Sequence, residues 1–526
     1  MRKVVIAFIF CFGFFKSFSQ SPPIYWSELL GGSKGEAAWS FQLLNDGGFV
    51  ISARSNSIDG NVSGVHYIDS SSISMDFWII KLDSSRNVEW QKCLGGSNEE
   101  EAFEIKQTHD SGFVVIGNAS SVDFDLSDNV AGEALWIVKL DASGGIKWKK
   151  PFGGSSNDEG ISIVEAENGD LYTAGYTSSN NGNVSGNHGG YDFWILHLDS
   201  SGNLLNQKCF GGINWEQCFT IYSTSKGSFI IAGLSGSNDG DVSGNHDTTS
   251  NDVWVVNMDS VGNIIWKECY GGSQNEVALE ITETFDKGFI LAGNTNSNDG
   301  DVSGLHNPTS FHNDAWILKI DSVGGIEWQK TVGGSNDDYL KAIQQTLDSG
   351  YISAGYTFSN DGDVSGLHGQ IDGWIVKQDK YGNVQWQKCV GGSLSELFED
   401  IKQDHDGNYI ALGWSKSTDG DLQANQLHGE EDVWLLKLAS SVGINEESPF
   451  NFQIFPSPAN SILKISHSMD EYDICLTNIL GVKFYCDKQI GKTESVIDVS
   501  NYSPGIYFIS LQHNGVQAVK KIIIDH

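Results

Sequence analysis

The chain has 526 residues, with 67 acidic against 32 basic side chains and a formal net charge of −35. This excess of negative charge repels phosphate backbones and argues against nucleic acid as a partner. It favours cations or a cationic partner, although scattered carboxylates that keep an exported protein in solution explain the same composition.

The first segment combines Arg2 and Lys3 with an apolar run from Val4 to Phe15 and small residues up to Ser19. This order predicts a secretory signal peptide over residues 1–19. The run is shorter than the roughly 20 apolar residues of a membrane-spanning helix, and no later segment is long enough. We therefore expect an exported mature chain without a transmembrane segment.

Residues 20–440 carry an internal repeat with a period near 60 residues. Gly-Gly pairs mark the repeats and begin at Gly31, Gly95, Gly153, Gly211, Gly271, Gly333 and Gly391. A tryptophan of a predicted third strand recurs at Trp78, Trp136, Trp194, Trp254, Trp316, Trp374 and Trp434. Each repeat fits four short runs rich in β-branched and aromatic residues, separated by turns. The pattern predicts an all-β fold, a seven-bladed β-propeller of four-stranded blades, with a β-solenoid as the weaker alternative.

The seventh repeat lacks a recognisable fourth strand. Most repeats have a second tryptophan twelve residues after the first, but Glu446 stands at this position after Trp434. At the other end, Trp26 precedes Gly31 by five residues, the same spacing as Trp90 to Gly95. We predict that residues 24–30 complete the seventh blade and remove an exposed sheet edge.

The cysteines fall into two groups. Five belong to the repeats and are predicted to be small apolar core residues: Cys93, Cys209, Cys218, Cys269 and Cys389. Cys475 and Cys486 fall opposite each other on a predicted hairpin of the C-terminal segment, where an exported protein is able to form a disulfide.

The repeat resembles a known group of proteins. The stretch from Asp372 to Lys388 reads Asp-Gly-Trp-Ile-Val-Lys-Gln-Asp-Lys-Tyr-Gly-Asn-Val-Gln-Trp-Gln-Lys. It looks like the repeats of exported bacterial β-propellers, including the seven-bladed SBBP type. The resemblance covers about residues 24–440 and implies a fold more than an activity, because propellers carry unrelated functions.

An acidic residue recurs at the predicted start of every innermost strand. The seven residues are Glu36, Glu100, Asp158, Glu216, Glu276, Asp338 and Glu396. We expect them to form a ring around the mouth of the central channel. Such a ring is able to hold a cation or attract a basic ligand. Alternatively, each carboxylate accepts hydrogen bonds from the Gly-Gly backbone and joins one blade to the next, which is the favoured interpretation.

The loop between the second and third strands repeats an Asp-Gly-Asp-Val-Ser-Gly-x-His motif. Its alternating oxygen ligands are Asp239, Asp241, Ser243, Asp299, Asp301, Ser303, Asp361, Asp363 and Ser365. Oxygen ligands around a turn-making glycine are what Ca²⁺ uses, so calcium is the predicted cofactor if there is one. Asx-turns and local hydrogen bonds explain the same residues without metal. Each histidine of the motif is predicted to cap its own loop.

Residues that do not repeat are the candidates for specificity. They include Trp215, Phe311 and His312, together with Tyr67 near an insertion. All are predicted on the face that carries the long loops, where function belongs in this fold. No nucleophile–base pair, zinc motif or phosphate loop is recognisable in the sequence.

A separate β-module is predicted at residues 450–526, after a linker at 441–449. Its ordered segments Phe452–Asn460, Leu476–Gly481, Ile497–Tyr507 and Lys520–Ile524 resemble the type A C-terminal sorting domain of the type IX secretion system. Phe455-Pro-Ser-Pro replaces the more usual Tyr-Pro-Asn-Pro. The resemblance implies that the secretion machinery of Bacteroidota binds this module and carries the protein to the cell surface or the medium.

The sequence thus predicts an exported propeller that serves as a binding scaffold for a glycan, peptide or surface ligand. The alternative is a secreted hydrolase or lyase with its site on the long-loop face. A channel lined by unequal polar residues would favour the enzyme, and a regular ring of equivalent residues would favour binding or a purely structural role.

Overall fold

The computed structural model describes residues 21–66, 74–129, 132–309, 311–422 and 427–440, and most of residues 452–524. The chain divides into two compact units between Ala439 and Ser440. The predicted signal peptide at 1–19 and the linker at 441–449 lie outside the described residues. Within the described ranges, no helix has the length and apolar character needed to cross a membrane.

The described strands of the first unit form seven four-stranded antiparallel sheets, the blades of a β-propeller. In chain order they are β1 (Ile24–Leu30), β2 (Glu36–Leu43), β3 (Phe49–Ser55), β4 (Asp76–Leu82), β5 (Val88–Leu94), β6 (Glu100–Gln107), β7 (Phe113–Ala119), β8 (Ala134–Leu140), β9 (Ile146–Phe152), β10 (Asp158–Glu165), β11 (Leu171–Thr177), β12 (Asp192–Leu198), β13 (Leu204–Phe210), β14 (Glu216–Ser223), β15 (Phe229–Ser235), β16 (Asp252–Met258), β17 (Ile264–Tyr270), β18 (Glu276–Glu283), β19 (Phe289–Thr295), β20 (Asp314–Ile320), β21 (Ile326–Val332), β22 (Asp338–Gln345), β23 (Tyr351–Thr357), β24 (Asp372–Gln378), β25 (Val384–Val390), β26 (Glu396–Gln403), β27 (Tyr409–Ser415) and β28 (Asp432–Leu438). A 3₁₀ turn at Phe124–Leu126 follows β7.

Blades I to VI each consist of four consecutive strands, from β2–β5 to β22–β25, and blade VII has the order β1-β28-β27-β26. The N-terminal strand β1 is therefore the outer strand of the last blade. It runs antiparallel to β28, with Leu30 opposite Val433 and Ser27 opposite Leu436. This confirms the predicted closure of the ring by residues 24–30.

The blades pack through apolar side chains that alternate with their neighbours' side chains. The second and third strands are buried on both faces, so they read as nearly continuous apolar runs, as in Phe289–Thr295. The third-strand tryptophans are at most 3% exposed. In one layer, Trp374 of blade VI packs with Ile290 and Ala292 of blade V. Burial of such large side chains between blades is the main source of stability for the ring.

Every innermost strand contains a β-bulge at the same position. In blade I the ladder to β3 shifts between Ala38 and Ser40, which leaves Trp39 without a cross-strand partner. Equivalent shifts occur in the other six blades, for example between Cys218 and Thr220 in blade IV. A bulge reverses the alternation of inward and outward side chains, and it turns the extra residue toward the central channel.

The second unit is a small β-sandwich. Its described strands are β29 (Phe452–Phe455), β30 (Ile462–His467), β31 (Glu471–Asn478), β32 (Lys483–Ile490), β33 (Glu494–Asp498), β34 (Gly505–His513) and β35 (Val516–Ile524). A three-stranded sheet and a four-stranded sheet, of orders β29-β30-β33 and β32-β31-β34-β35, share one apolar core. Cys475 and Cys486 are directly opposite in the ladder and form a disulfide, as predicted. The five remaining described cysteines are free and buried.

Candidate functional site

The seven acids of the predicted ring are all fully buried at the first position of the innermost strands. Each carboxylate accepts a hydrogen bond from the backbone N–H of the second glycine of the preceding Gly-Gly pair. The N···O distances are 2.8 Å for Gly32–Glu36, Gly96–Glu100 and Gly272–Glu276, 2.7 Å for Gly212–Glu216, Gly334–Asp338 and Gly392–Glu396, and 2.6 Å for Gly154–Asp158. The Gly-Gly pair lies in the connection between blades, so these bonds tie each blade to the one before it.

A hydroxyl group from the end of the second strand is the other partner of most of these acids. Ser235 donates to Glu216 at 2.8 Å and Thr295 donates to Glu276 at 2.6 Å. In blade II an alanine, Ala119, takes the hydroxyl position, and the backbone N–H of Ser121 donates to Glu100 at 2.9 Å instead. Burial raises the pKa of Glu276 to about 7 and that of Asp338 to about 6, despite these donors.

The ring acids are not among the described residues that line the central channel. They lie between the Gly-Gly turn and the end of the second strand, where the available space is filled by backbone. The first glycine of each pair is required there, because a Cβ on Gly271 would lie 2.5 Å from a carboxylate oxygen of Glu276. Cation binding by the ring stays a prediction, whereas the backbone contacts expected from the alternative interpretation are present.

The first aspartate of each predicted calcium loop contacts the same turn. Asp239 Oδ1 accepts the N–H of Ile213 at 2.9 Å, and Asp299 and Asp361 accept the N–H groups of Ser273 and Ser335 at 2.7 Å. The turn glycine between the two aspartates has positive φ, 61° at Gly240, and its backbone lies against the Gly-Gly pair. A Cβ there would lie 2.4 Å from the carbonyl oxygen of Gly211, so only glycine fits.

The second aspartate of the loop faces the histidine of the preceding blade. His306 illustrates the arrangement: its Nδ1 lies 2.6 Å from Asp314 of its own blade, and its Nε2 lies 3.2 Å from Asp363 of blade VI. His246 repeats it with Asp252 at 2.6 Å and Asp301 at 3.6 Å. Asp241 lies 3.9 Å from His188 of blade III. Each histidine therefore caps its own loop and also bridges to the next blade.

The serines of the motif have partners on the fourth strand. Ser303 and Ser365 accept hydrogen bonds from the side-chain amides of Gln329 and Gln387, at 2.7 and 2.8 Å. In blade IV, Lys267 replaces this glutamine, and it donates to the backbone of Asp241, close to Ser243. In the part of the chain that the structure describes, no three His, Cys, Asp or Glu side chains gather in a way that could hold a metal ion.

The donor set thus fits local hydrogen bonding better than calcium. Because the aspartates already accept backbone N–H groups, a bound Ca²⁺ would have to displace those donors. Calcium binding stays a prediction, and a thermal melt measures it: Asx-turns predict a Tm that is equal in Ca²⁺ and in chelator. A Tm that rises with Ca²⁺ would establish the metal site.

The central channel is the largest cavity found along the described chain, about 350 Å³. The bulged residues of the innermost strands line it: Trp39, Phe103, Ile161, Phe219, Leu279, Lys341 and Glu399. Five successive blades contribute an apolar side chain, and blades VI and VII contribute an ion pair, Lys341–Glu399, at 3.5 Å. The lining is therefore unequal from blade to blade, unlike the ring acids and the loops.

Sequence reasoning did not identify this lining. The signal was present, because the position three residues after each ring acid varies in chemistry while the surrounding positions repeat. Strict alternation would place Trp39 on the same face as Ala37 and Phe41, but the bulge separates them, so that Phe41 is buried and Trp39 is partly open to the channel.

Charged residues occupy the next turn of the channel wall. Lys106 pairs with Glu104 at 2.6 Å and Lys402 pairs with Asp400 at 2.8 Å. Glu280 accepts the backbone N–H of Ile343 at 2.6 Å. Five carboxylates and three ammonium groups line the cavity in total. Burial raises the pKa of Glu280 and of Glu399, although lysines lie nearby.

An aromatic row leads from the long-loop face into the channel at blades III and IV. Ring centroids are 6.0 Å apart for Trp215 and Tyr191, 5.3 Å for Tyr191 and Tyr176, and 6.3 Å for Tyr176 and Phe219. Tyr176 and Phe219 line the channel, whereas Trp215 is 62% exposed. The Tyr176 hydroxyl donates to Glu159, which also lines the channel.

The other non-repeating residues are placed apart from this row. Phe311 is 87% exposed, and His312 Nδ1 lies 2.9 Å from Asp337 on the blade V–VI side of the long-loop face. The structure brings Trp215 alone of the four candidates into contact with a channel-lining cluster. Tyr67 lies outside the described residues.

Comparison with known proteins identifies the second unit. Residues 453–525 match the family of secretion system C-terminal sorting domains. The chain therefore carries a type IX secretion sorting domain joined to a seven-bladed β-propeller, and it is exported to the cell surface or the medium. No curated protein matches the chain.

Solved structures similar to the chain are distant. The WD40 domain of Neurospora crassa Pan2 has 8% identity and a TM-score of 0.41, covering 77% of this chain and 90% of that one. A puromycin hydrolase has 9% identity and a TM-score of 0.42, covering 85% and 58%. PorZ, a surface component of the type IX secretion system of Porphyromonas gingivalis, has 10% identity and a TM-score of 0.23, covering 98% and 87%.

Proposed function

We propose that this protein is an exported binding scaffold, displayed on the cell surface or released, whose ligand contacts the channel and the long-loop face of the propeller. One observation carries the proposal. The residues that repeat around the ring are engaged in bonds within and between blades, and the residues that differ between blades are those that line the channel. A concave site with apolar walls and a few polar groups is the usual form of a ligand site.

Delivery is assigned to the C-terminal module. The proposal is that residues 450–526 are bound by the type IX secretion machinery, while the propeller contributes the activity at the destination. The sorting-domain match supports this division of labour, because the match is confined to residues 453–525.

A glycan and peptide array with the purified mature chain tests the binding function. The array is run with and without Ca²⁺, so that a metal-dependent ligand is separated from a metal-independent one. Binding of a defined ligand class, lost when the chain is heat-denatured, is the expected result. A chain that binds nothing on either array would contradict the scaffold proposal.

A hydrolase or lyase is the second candidate, because the polar residues of the channel are unequal. Glu280 and Glu399 have raised pKa values through burial, as a general acid requires. The same ligands are incubated with the protein and the products analysed by mass spectrometry. Product formation that is abolished by Glu280→Gln, with binding retained, would establish the enzyme.

A further inference from the structure

We propose that the central channel, reached at blades III and IV, binds the basic side chain of an arginine- or lysine-containing peptide segment. The inference rests on the proposed binding function and names its site and ligand class. Three observations carry it: the charge of the lining, the aromatic row at the mouth, and the size of the cavity.

The channel lining has more carboxylates than cations. Glu104, Asp400 and Glu399 are paired with lysines, whereas in the described chain Glu159 and Glu280 have hydrogen-bond donors but no ion pair. A cavity with two more negative than positive groups attracts a positive one, and the attraction is strong where water is scarce. Desolvation raises the pKa of Glu280, as expected of a carboxylate whose charge is incompletely compensated.

The aromatic row supplies the second recognition element. Guanidinium and ammonium groups bind over the faces of tryptophan and tyrosine rings. Trp215, Tyr191 and Tyr176 form a continuous path from solvent to the cavity, and Glu133 and Glu159 flank it. The pKa of Glu133 is raised by burial and by the neighbouring charge of Glu159, so the path is itself negative in character.

The size of the cavity favours a side chain over a folded partner. About 350 Å³ lies at the lower end of the range for small-ligand pockets, which is roughly 300–1,000 Å³. A single arginine or lysine side chain fits this volume, and the exposed ring of Trp215 is placed to contact a flanking residue of the same peptide. The net negative charge of the chain would speed the encounter with a basic peptide.

Isothermal titration with two matched peptides tests the inference on the full mature chain. The probes are acetyl-Gly-Phe-Arg-Gly-amide and the same peptide with citrulline, which has nearly the same shape but no charge. The arginine peptide is expected to bind about tenfold or more tightly than the citrulline peptide, as a charged hydrogen bond provides. Trp215→Ala and Glu280→Gln are each expected to raise the Kd of the arginine peptide about tenfold.

Matched control variants lie on the opposite face. Phe285 has the same 62% exposure as Trp215 but belongs to a short turn between the first and second strands, and Asp406 is an exposed acid of another such turn. Phe285→Ala and Asp406→Asn are expected to leave the Kd unchanged. Because Trp215 is exposed, Trp215→Ala is expected to keep the wild-type Tm, so this variant reports on binding even if Glu280→Gln is unstable.

Equal affinity for the two peptides would overturn the inference, as would a Kd that neither Trp215→Ala nor Glu280→Gln changes. If the arrays reveal a glycan ligand whose binding is insensitive to both variants, the channel inference fails and the binding function stands. If no array ligand and no probe peptide binds, both fail.

Discussion

Each buried ring acid has hydrogen-bond donors around both carboxylate oxygens. Glu276 receives the N–H of Gly272 at 2.8 Å and the hydroxyl of Thr295 at 2.6 Å, and it is fully buried. A donor that loses its acceptor inside a protein costs more than the hydrogen bond contributed, because water cannot replace the acceptor. The recurrence of the acid in seven blades follows from this local need.

Replacement of Glu276 should therefore destabilise the propeller. Glu276→Ala is expected to lower the free energy of unfolding by about 3 kcal/mol, since it leaves two buried donors unpaired. Glu276→Gln keeps an acceptor oxygen and should cost about 1 kcal/mol. Chemical denaturation measures both, with exposed Glu268→Ala as the control. A Glu276→Ala variant as stable as the control would contradict the structural role.

His306 illustrates a second device at the residue scale. The carboxylates of Asp314 and Asp363, from neighbouring blades, hold the pKa of this histidine far above its ordinary value, at about 10. A group whose pKa is raised by folding contributes stability that is complete below its ordinary pKa of about 6.5. That contribution is lost as the pH rises through about 10.

We expect the imidazole of His306 to stay protonated at pH 8, and the free energy of unfolding to decrease between pH 7 and pH 10. Histidine Cε1–H chemical shifts report the first, with His306→Gln to assign the signal. Asp363→Asn removes one carboxylate and should lower the pKa by about one unit or more. Exposed Asp406→Asn should leave it in place. A His306 signal that titrates near pH 6.5 would disprove the bridging role.

Strand β1 decides the integrity of the ring at the scale of elements. Without it, β28 would be an edge strand that presents unpaired backbone groups to solvent. Its side chains also contribute, because Leu29 and Leu30 are buried and the indole of Trp434 donates to Ser27 Oγ at 2.8 Å. The closure thus combines main-chain pairing with apolar burial.

Deletion of residues 20–32 should open the propeller. The expected result is a lower Tm together with self-association through β28, measured by differential scanning fluorimetry and light scattering. Deletion of residues 20–22 alone, which precede β1, is the control and should change neither quantity. A monomer of unchanged Tm after the longer deletion would contradict the closure.

The repeat elements were predictable from sequence, and the channel was not. Regular features such as the third-strand Trp374 and the Gly391–Gly392 pair recur at a fixed spacing, so they reveal the blades, their number and the place of β1. The bulge depends on backbone geometry, and alternation alone assigns Trp39 to the wrong face. The aromatic contact of Tyr176 with Phe219 joins two blades, and no local pattern encodes a contact between residues 43 positions apart.

At the scale of the whole molecule, the two units have different tasks and different means of stabilisation. The propeller keeps its five free cysteines buried and is closed by β1, whereas the smaller sandwich carries the Cys475–Cys486 disulfide. A small unit has less buried surface per residue, so a covalent link contributes proportionally more. This division suits a chain in which one unit directs export and the other acts at the destination.

Export should depend on the sandwich and be separable from the propeller. In a bacterium with a type IX secretion system, a reporter that carries a signal peptide and residues 445–526 is expected at the cell surface or in the medium, because residues 453–525 constitute the sorting domain. The same reporter with the signal peptide alone is the control and should stay in the periplasm. The reciprocal variant, the chain without residues 445–526, should accumulate there as a folded propeller with the Tm of the first unit. Cell fractionation and immunoblotting measure all three. A reporter with residues 445–526 that remains in the periplasm would contradict the assignment, since the propeller is then needed for transport.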